Sequence, residues 1–298
     1  MDPGTLLTAI LRLEGSSRSV RFNVGENELR ALVPGDSVFF SIKDILFNRE
    51  YEYFPEFELT RPRQIVVDAG AHAGLYTLIS SRYAKKVVAL EPDVHIFSIL
   101  SANVARNKLT NALLLNSALW TRNDTVGFYR RQNSQLGSLE KRKSTAAHPV
   151  HTISLRSLLE TVSGDVQGNI DLLKLDIEGT EFGVISSSDE NTLGRVSKIV
   201  AEIHTEHGSV QELTRKLKAC GFSYVIARRP LRKAADTHIR IVDNNKVKFL
   251  LRMANLVIEL SQYSDWSSLM LFASREPRDF RGSTIASLKG NLMETSHV

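Results

Sequence analysis

Residues Ile65 to Ser80 read I-V-V-D-A-G-A-H-A-G-L-Y-T-L-I-S: a β-branched apolar run, an acid, a turn punctuated by two glycines and an amphipathic segment. No other stretch narrows the fold as far, because strand, tight loop and helix in that order open a parallel α/β sheet. Gly70 and Gly74 permit the sharp turn and let a ligand lie against bare backbone. The helix starting near Gly74 is expected to aim its free N–H groups at the same spot. Asp68, at the carboxyl end of the strand, is expected to face that ligand. The spacing is D-x-G-x-x-x-G, with His72 where the dinucleotide motif needs its second glycine, so a nicotinamide oxidoreductase is disfavoured. A second acid, Glu91 in V-V-A-L-E-P, ends the next apolar run. Its offset of roughly 20 residues suits a carboxylate gripping two ribose hydroxyls.

Strand and helix patterns alternate from there. Strands are expected at Ile65 to Val67, Val87 to Leu90, Ala112 to Leu115, Ile170 to Leu175, Ile199 to Ile203 and Ser223 to Ala227. Helices are expected at Leu75 to Ala84, from Asp93 onward with Phe97, Leu100 and Val104 on one face, at Leu155 to Val162, and at Val210 to Cys220 with Gly221 as its cap. Ser117 and Ala118 fall in the loop after the third strand. Thr121 to Val150 breaks the alternation, with one added strand at Val126 to Tyr129 and then a basic stretch holding Arg130, Arg131, Lys141, Arg142 and Lys143. Such a run reads as a solvated loop or as a flap over an anionic or sugar substrate. Ahead of the core, Ser19 to Val24 and Glu28 to Val33 form a hairpin around Gly25-Glu26-Asn27, and Val38 to Ile42 reads as a further strand. Lys43 to Phe57, rich in aromatics, is expected as a short helix and loop lying over the main sheet.

The D-x-G-x-x-x-G loop, the Glu91-Pro92 pair and the later K-L-D-I-E-G-T-E at Lys174 to Glu181 come in order, each after a predicted strand. Together they resemble the FkbM family of S-adenosylmethionine-dependent methyltransferases, over roughly Val66 to Ala227. The resemblance implies an α/β class I methyltransferase fold: a Rossmann-like, seven-stranded, mostly parallel sheet with helices on both faces, plus an N-terminal β-rich extension. Its antiparallel last strand is Ser268 to Ala273, paired beside the sixth; the insertion at about residues 230–266 between them does not follow from the resemblance. Residues 1–64 are then a cap, 65–275 the methyltransferase domain and 276–298 a flexible tail. The resemblance also implies S-adenosyl-L-methionine as cofactor, bound by Asp68, Gly70, Ala71, His72, Gly74, Tyr76, Glu91, Pro92, Ser117, Ala118 and Asp176. A hydroxyl of a sugar or natural product is the implied acceptor. Family members commonly carry asparagine where this chain has His72, which leaves the contact of that loop residue open.

Methyl transfer is an in-line displacement, so the acceptor must come within about 3–3.5 Å of the methyl carbon and lose a proton. Asp176 is the first candidate for the base, and Lys174 alternates onto the same face to pair with it or polarise the acceptor. Glu178 and Glu181 are less favoured, since Gly179 directs them toward the start of a helix. Glu202 and His204 share a face of the next strand, and an imidazole suits proton removal. Asp176, Glu202 and His204 also have the donor types of a divalent-cation site, which the residues alone leave undecided.

Composition bounds the rest. Cys220 is the only cysteine, which excludes an intrachain disulfide framework and a thiolate metal cluster. The first residues lack the basic start of a signal peptide, and no run approaches the ~18 apolar residues of a transmembrane helix. A cytoplasmic location is the expectation. A net charge of +5 favours an anionic partner, so an RNA methyltransferase is the alternative within the class, with Arg228-Arg229 joining the basic stretches above. A nucleotide-binding protein that kept the fold without the chemistry is a further alternative. Val247 to Leu260 has one narrow polar stripe at helical spacing and is expected to pack on the core or on a second copy in a homodimer.

Overall fold

A computed structural model of the chain describes residues 17–35, 37, 41–129, 147–162, 168–229, 239–241, 268–276, 280 and 292–296. Its centre is an eight-stranded sheet. Six strands run in one direction: β3 (Arg63–Ala69), β4 (Ala84–Leu90), β5 (Ala112–Leu115), β9 (Leu172–Leu175), β10 (Lys198–His204) and β11 (Ser223–Arg228). β13 (Ser268–Ser274) lies between β10 and β11, antiparallel to both, and β14 (Leu292–Ser296) adds antiparallel to the outer edge of β11. The order is β5-β4-β3-β9-β10-β13-β11-β14. The first seven of these match the expected class I methyltransferase sheet, with the antiparallel strand where the sequence predicts it. The eighth corrects the expectation of seven. β14 comes from the tail expected to be flexible, because Leu292 turns inward there and the β11 edge offers backbone partners.

Alternation along the strands sorts the apolar residues onto two faces. Ile65, Val67, Leu173, Leu175, Ile199 and Ala201 pack with α3 (Leu155–Val162), α4 (Glu181–Ser187), α5 (Glu190–Gly194) and α6 (Val210–Ala219). Val66, Leu172, Val200, Val225 and Phe272 pack with α1 (Leu75–Ser80), α2 (Val94–Arg106) and the N-terminal extension. α2 starts at Asp93, whose carboxylate accepts from the His95 and Ile96 N–H groups, as the Pro92-Asp93 signal predicts. α1 stops four residues short of the expected Ala84, because β4 already begins at Ala84 in register with Arg63.

The extension is the hairpin β1 (Arg18–Val24) and β2 (Asn27–Val33), widened by β12 (Ile239–Ile241) on its outer edge. Two asparagines one turn apart on α2 serve β2 as a substitute strand. Asn103 bonds the Leu32 N–H and C=O, both at 2.7 Å, and Asn107 bonds those of Arg30 at 2.9 and 2.7 Å. The strand expected at Val38 to Ile42 lies mostly outside the described residues, and Ile42 itself opens a π-helical turn, Ile42–Phe47. Short 3₁₀ turns at Glu50–Glu52 and Pro55–Phe57 follow. Phe54 and Phe57 then seat edge-on against Phe272 of β13, with ring centroids 5.0 and 5.2 Å away, so Lys43 to Phe57 does lie over the sheet. A third sheet, β6 (Ala118–Trp120), β8 (Ala147–Ser154) and β7 (Asp124–Tyr129), occupies the interruption after β5. Ala118 is therefore a strand residue instead of a loop residue. The basic run from Arg130 to Lys143 and the helix expected at Val247 to Leu260 lie outside the described residues. Among the described residues no helix is long and apolar enough to cross a membrane.

Candidate active site

On the face covered by the extension, the inward-pointing stripes change from apolar to ionisable as the strands reach their carboxyl ends. Val66 is followed by Asp68, Leu172 by Lys174 and then Asp176, Val200 by Glu202 and then His204, and Ala227 by Arg229. The period of two keeps each set on one side, and the shared register of β3 and β9 puts Asp68 opposite Lys174.

Lys174 is a buried cation of this cluster. Its Nζ lies 3.1 Å from Asp68 Oδ1 and 3.7 Å from Asp176 Oδ2, and it donates to the Gly70 carbonyl at 3.0 Å. Burial opposes its charge, but Asp68 and Asp176 outweigh burial and hold its pKa above the ordinary lysine range. Asp68 is fully buried, and its other oxygen accepts from Thr77 Oγ1 at 2.6 Å. It braces the glycine loop, with Lys174 and Thr77 against its two oxygens.

The loop is shaped around Asp176 and Glu91. Gly70 has φ +75°, and a Cβ there would stand 1.8 Å from the Asp176 carbonyl oxygen, so only glycine lets the two loops touch. His72 also adopts a left-handed φ of 50°, a conformation that asparagine and histidine tolerate better than most residues. Its N–H donates to Glu91 Oε2 at 2.9 Å, and its Nε2 sits 3.3 Å from Ser37 Oγ of the extension. Glu91 accepts a second backbone bond from the Asp93 N–H at 2.9 Å. Burial is the main influence on its carboxyl and pushes the pKa up to about 7, against the pull of those two donors. A carboxylate fixed by two backbone donors beside bare loop backbone fits the ribose hydroxyls of an adenosyl cofactor, with lone pairs still free to accept them. Ala71 and Tyr76 are buried, the Tyr76 ring standing edge-on to Tyr51 at 5.9 Å, while Pro92 and Ser117 are half-buried at the mouth of β4 and β5.

Asp176 is the accessible member of the acidic cluster, its side chain 27% exposed. Tyr51, from the extension, donates to its Oδ2 at 2.7 Å and lies 3.5 Å from Glu202 Oε2. Burial would raise the Asp176 pKa, but Lys174, the Tyr51 hydrogen bond and His204 bring it below the usual carboxylate value, so it is ionised at neutral pH. Glu202 has a different employment. Arg229 contacts it directly and also holds Glu50 Oε2 at 2.7 Å and Asp44 Oδ2 at 3.2 Å, which ties the extension to the end of β11. Arg229 thus leaves the basic pair that counted toward an RNA acceptor.

His204 stands among carboxylates, with Nδ1 3.4 Å from Glu181 Oε1 and Nε2 3.7 and 3.8 Å from Glu178 and Glu202. Burial lowers its pKa, yet the three carboxylates outweigh burial and raise it to about 10. An imidazolium has no lone pair for an acceptor's proton, so the geometry favours Asp176 over His204 as base. Glu181 accepts from the Ile177 and Gly179 N–H groups, turning back to the loop as Gly179 suggests. Burial and Asp176 together raise the Glu178 carboxyl to about 8. Among the described residues no three His, Cys, Asp or Glu side chains are grouped to hold a metal. Asp176, Glu202 and His204, weighed as a triad, are instead claimed by Tyr51, Arg229 and Glu181.

Tyr51, Thr77 and Arg229 were not legible as site residues. Tyr51 is one aromatic of several in its segment, 125 positions from the aspartate it bonds.

The sequence profile of one family, described as Methyltransferase FkbM domain, matches residues 68–224, over half the chain. A protein named 31-O-demethyl-FK506 methyltransferase FkbM, from Streptomyces tacrolimicus, is 24% identical over 207 residues, 60% of this chain and 80% of that protein. AMB antimetabolite synthetase AmbE of Pseudomonas aeruginosa is 25% identical over 218 residues, 59% of this chain and only 10% of AmbE. The crystal structure of methyltransferase FkbM from Methylobacillus flagellatus KT superposes with a TM-score of 0.41 at 14% identity, over 65% of this chain and 47% of that one.

Proposed function

The chain belongs to the FkbM family of S-adenosylmethionine-dependent methyltransferases, and on that premise we propose that its acceptor atom is a hydroxyl oxygen of a sugar or natural product, with Asp176 as the base. One observation carries the reading. An ionised, partly exposed carboxylate touches the cofactor loop through its own backbone at Gly70 and is oriented from behind by Tyr51 and Lys174. A hydroxyl sheds its proton poorly at neutral pH, so oxygen transfer needs such a group where a nitrogen or thiolate acceptor needs it less.

S-adenosylmethionine, when bound, supplies an electrophilic methyl carbon. Glu91 would hold the ribose hydroxyls beside the Gly70 loop. Asp176 would draw the acceptor hydroxyl toward that loop and take its proton as the oxygen bonds to the methyl carbon and the carbon–sulfur bond breaks, releasing S-adenosylhomocysteine. Lys174 keeps Asp176 ionised between turnovers. The name of the Streptomyces relative, which contains 31-O-demethyl, supports oxygen as the acceptor atom. The RNA reading loses part of its footing, since the Arg229 side chain is 4% exposed and paired with carboxylates. Incubation with methyl-labelled S-adenosylmethionine and a panel of sugars, polyketide alcohols and bulk transfer RNA tests the proposal. Label on an alcohol, lost in Asp176→Asn, is the expected result. Label on RNA alone would overturn it.

A further inference from the structure

We propose that Tyr51 of the N-terminal extension is a positioning residue of the active site, holding Asp176 by Oδ2 so that Oδ1 is the oxygen presented to the acceptor. The inference rests on the reading of Asp176 as the base. The hydroxyl-to-carboxylate distance is 2.7 Å, and the Lys174 ion pair at 3.7 Å falls on the same oxygen, which leaves Oδ1 on the open side.

Tyr51 has little freedom to do anything else. It is 4% exposed, its ring stands edge-on to Tyr76 at 5.9 Å, and Lys174 Nζ lies 5.2 Å from its centroid. Those contacts fix the ring, and among the described residues its hydroxyl donates to Asp176 and lies 3.5 Å from Glu202. A phenol has one proton to donate. While Asp176 is ionised the phenol keeps that proton and donates it to Oδ2, and Glu202 has its charge balanced through Arg229. The extension therefore supplies part of the catalytic constellation, and the methyltransferase sheet by itself would hold Asp176 only through the 3.7 Å ion pair with Lys174.

Carboxyl-carbon NMR of protein labelled with [4-13C]aspartate reads the pairing without any acceptor, with Asp176→Asn assigning the signal. A hydrogen bond to the charged form favours that form, so Tyr51→Phe should raise the Asp176 midpoint by about one pH unit, a tenfold shift in its ionisation constant. Replacement of Tyr51 by a fluorinated tyrosine, a stronger donor of nearly the same shape, should move the midpoint the other way. Shifts of opposite sign cannot come from a packing defect. On the acceptor found by the labelling screen, the acidic limb of the pH–rate profile should follow the same order, with kcat falling more than KM rises. An Asp176 midpoint equal to wild type in both variants would overturn the proposal. Normal methyl transfer by Asp176→Asn with the NMR shifts intact would instead sink the base assignment and leave the pairing standing.

Discussion

Replacing Lys174 with methionine removes the cation that faces Asp68 at 3.1 Å, where the two side chains are 2% and 0% exposed. Breaking a buried pair from one side costs about 3–5 kcal/mol, and urea denaturation should show a loss of that size. The double variant Asp68→Asn/Lys174→Met should regain part of it, because the fully buried charge at Asp68 goes with its partner while Asp176 keeps the Tyr51 hydrogen bond. A single-variant loss under about 1 kcal/mol would mean that water reaches Asp68 in solution. Gly70→Ala puts a side chain on a left-handed backbone and into the Asp176 carbonyl. It should cost about 1–2 kcal/mol for the backbone and a further ~1–3 kcal/mol for the clash, and calorimetry should find S-adenosylhomocysteine binding lost. At this scale the sequence was readable where one residue type answers one demand. The D-x-G-x-x-x-G spacing, Glu91 and Asp176 all fall where their neighbours imply. It was silent where a partner is distant: nothing near Asp68 announces that Lys174 and Thr77 will consume its oxygens.

Among the strands of the central sheet, β14 is the one that the sequence did not announce. Leu292 to Ser296 is short and mixed, and by itself lacks the alternation that marks a half-buried strand. Pairing with β11 creates the strand, through a register that shifts between Ile226 and Ala227. Truncation after Gly290 should therefore bare the β11 edge, and light scattering should show more concentration-dependent association than the full chain does. A size distribution equal to that of the full chain would mean that the edge is protected in another way. The helices were easier to read. α3 has the boundaries expected, with Leu155, Leu158, Leu159 and Val162 buried at i, i+3, i+4 and i+7. The Ile42–Phe47 turn opens the segment expected as a short helix from Lys43. Only its first residue, Ile42, was expected in a strand, since β-branched residues favour strands, and burial of Ile42 and Leu46 decided otherwise.

Across the whole molecule, the carboxyl ends of the strands gather more acid than base under the extension, and the proton balance of folding follows from that. Glu91 and Glu178 have folded pKa values raised to about 7 and about 8, and His204 to about 10. Each therefore holds a proton in the folded chain over a range where the unfolded chain has released it. Linkage gives all three the same sign: their stabilisation is complete below the unfolded pKa and is lost as pH rises through the folded one. Asp176 has the opposite sign, since its lowered pKa stabilises the fold above the ordinary aspartate value and the benefit disappears only in acid. The two trends meet on the acid side of neutrality. Scanning calorimetry should find the highest melting temperature near pH ~5, falling steadily toward pH ~9 by the equivalent of a few kcal/mol. Glu178→Gln should flatten the part of that decline between about pH 4.5 and about pH 8, because a neutral amide has no proton to lose. A melting temperature that rises from pH ~5 to pH ~8 would mean that these carboxyls ionise normally under the extension. The acidic face would then be open to water, and Tyr51 and Arg229 would not be holding it closed.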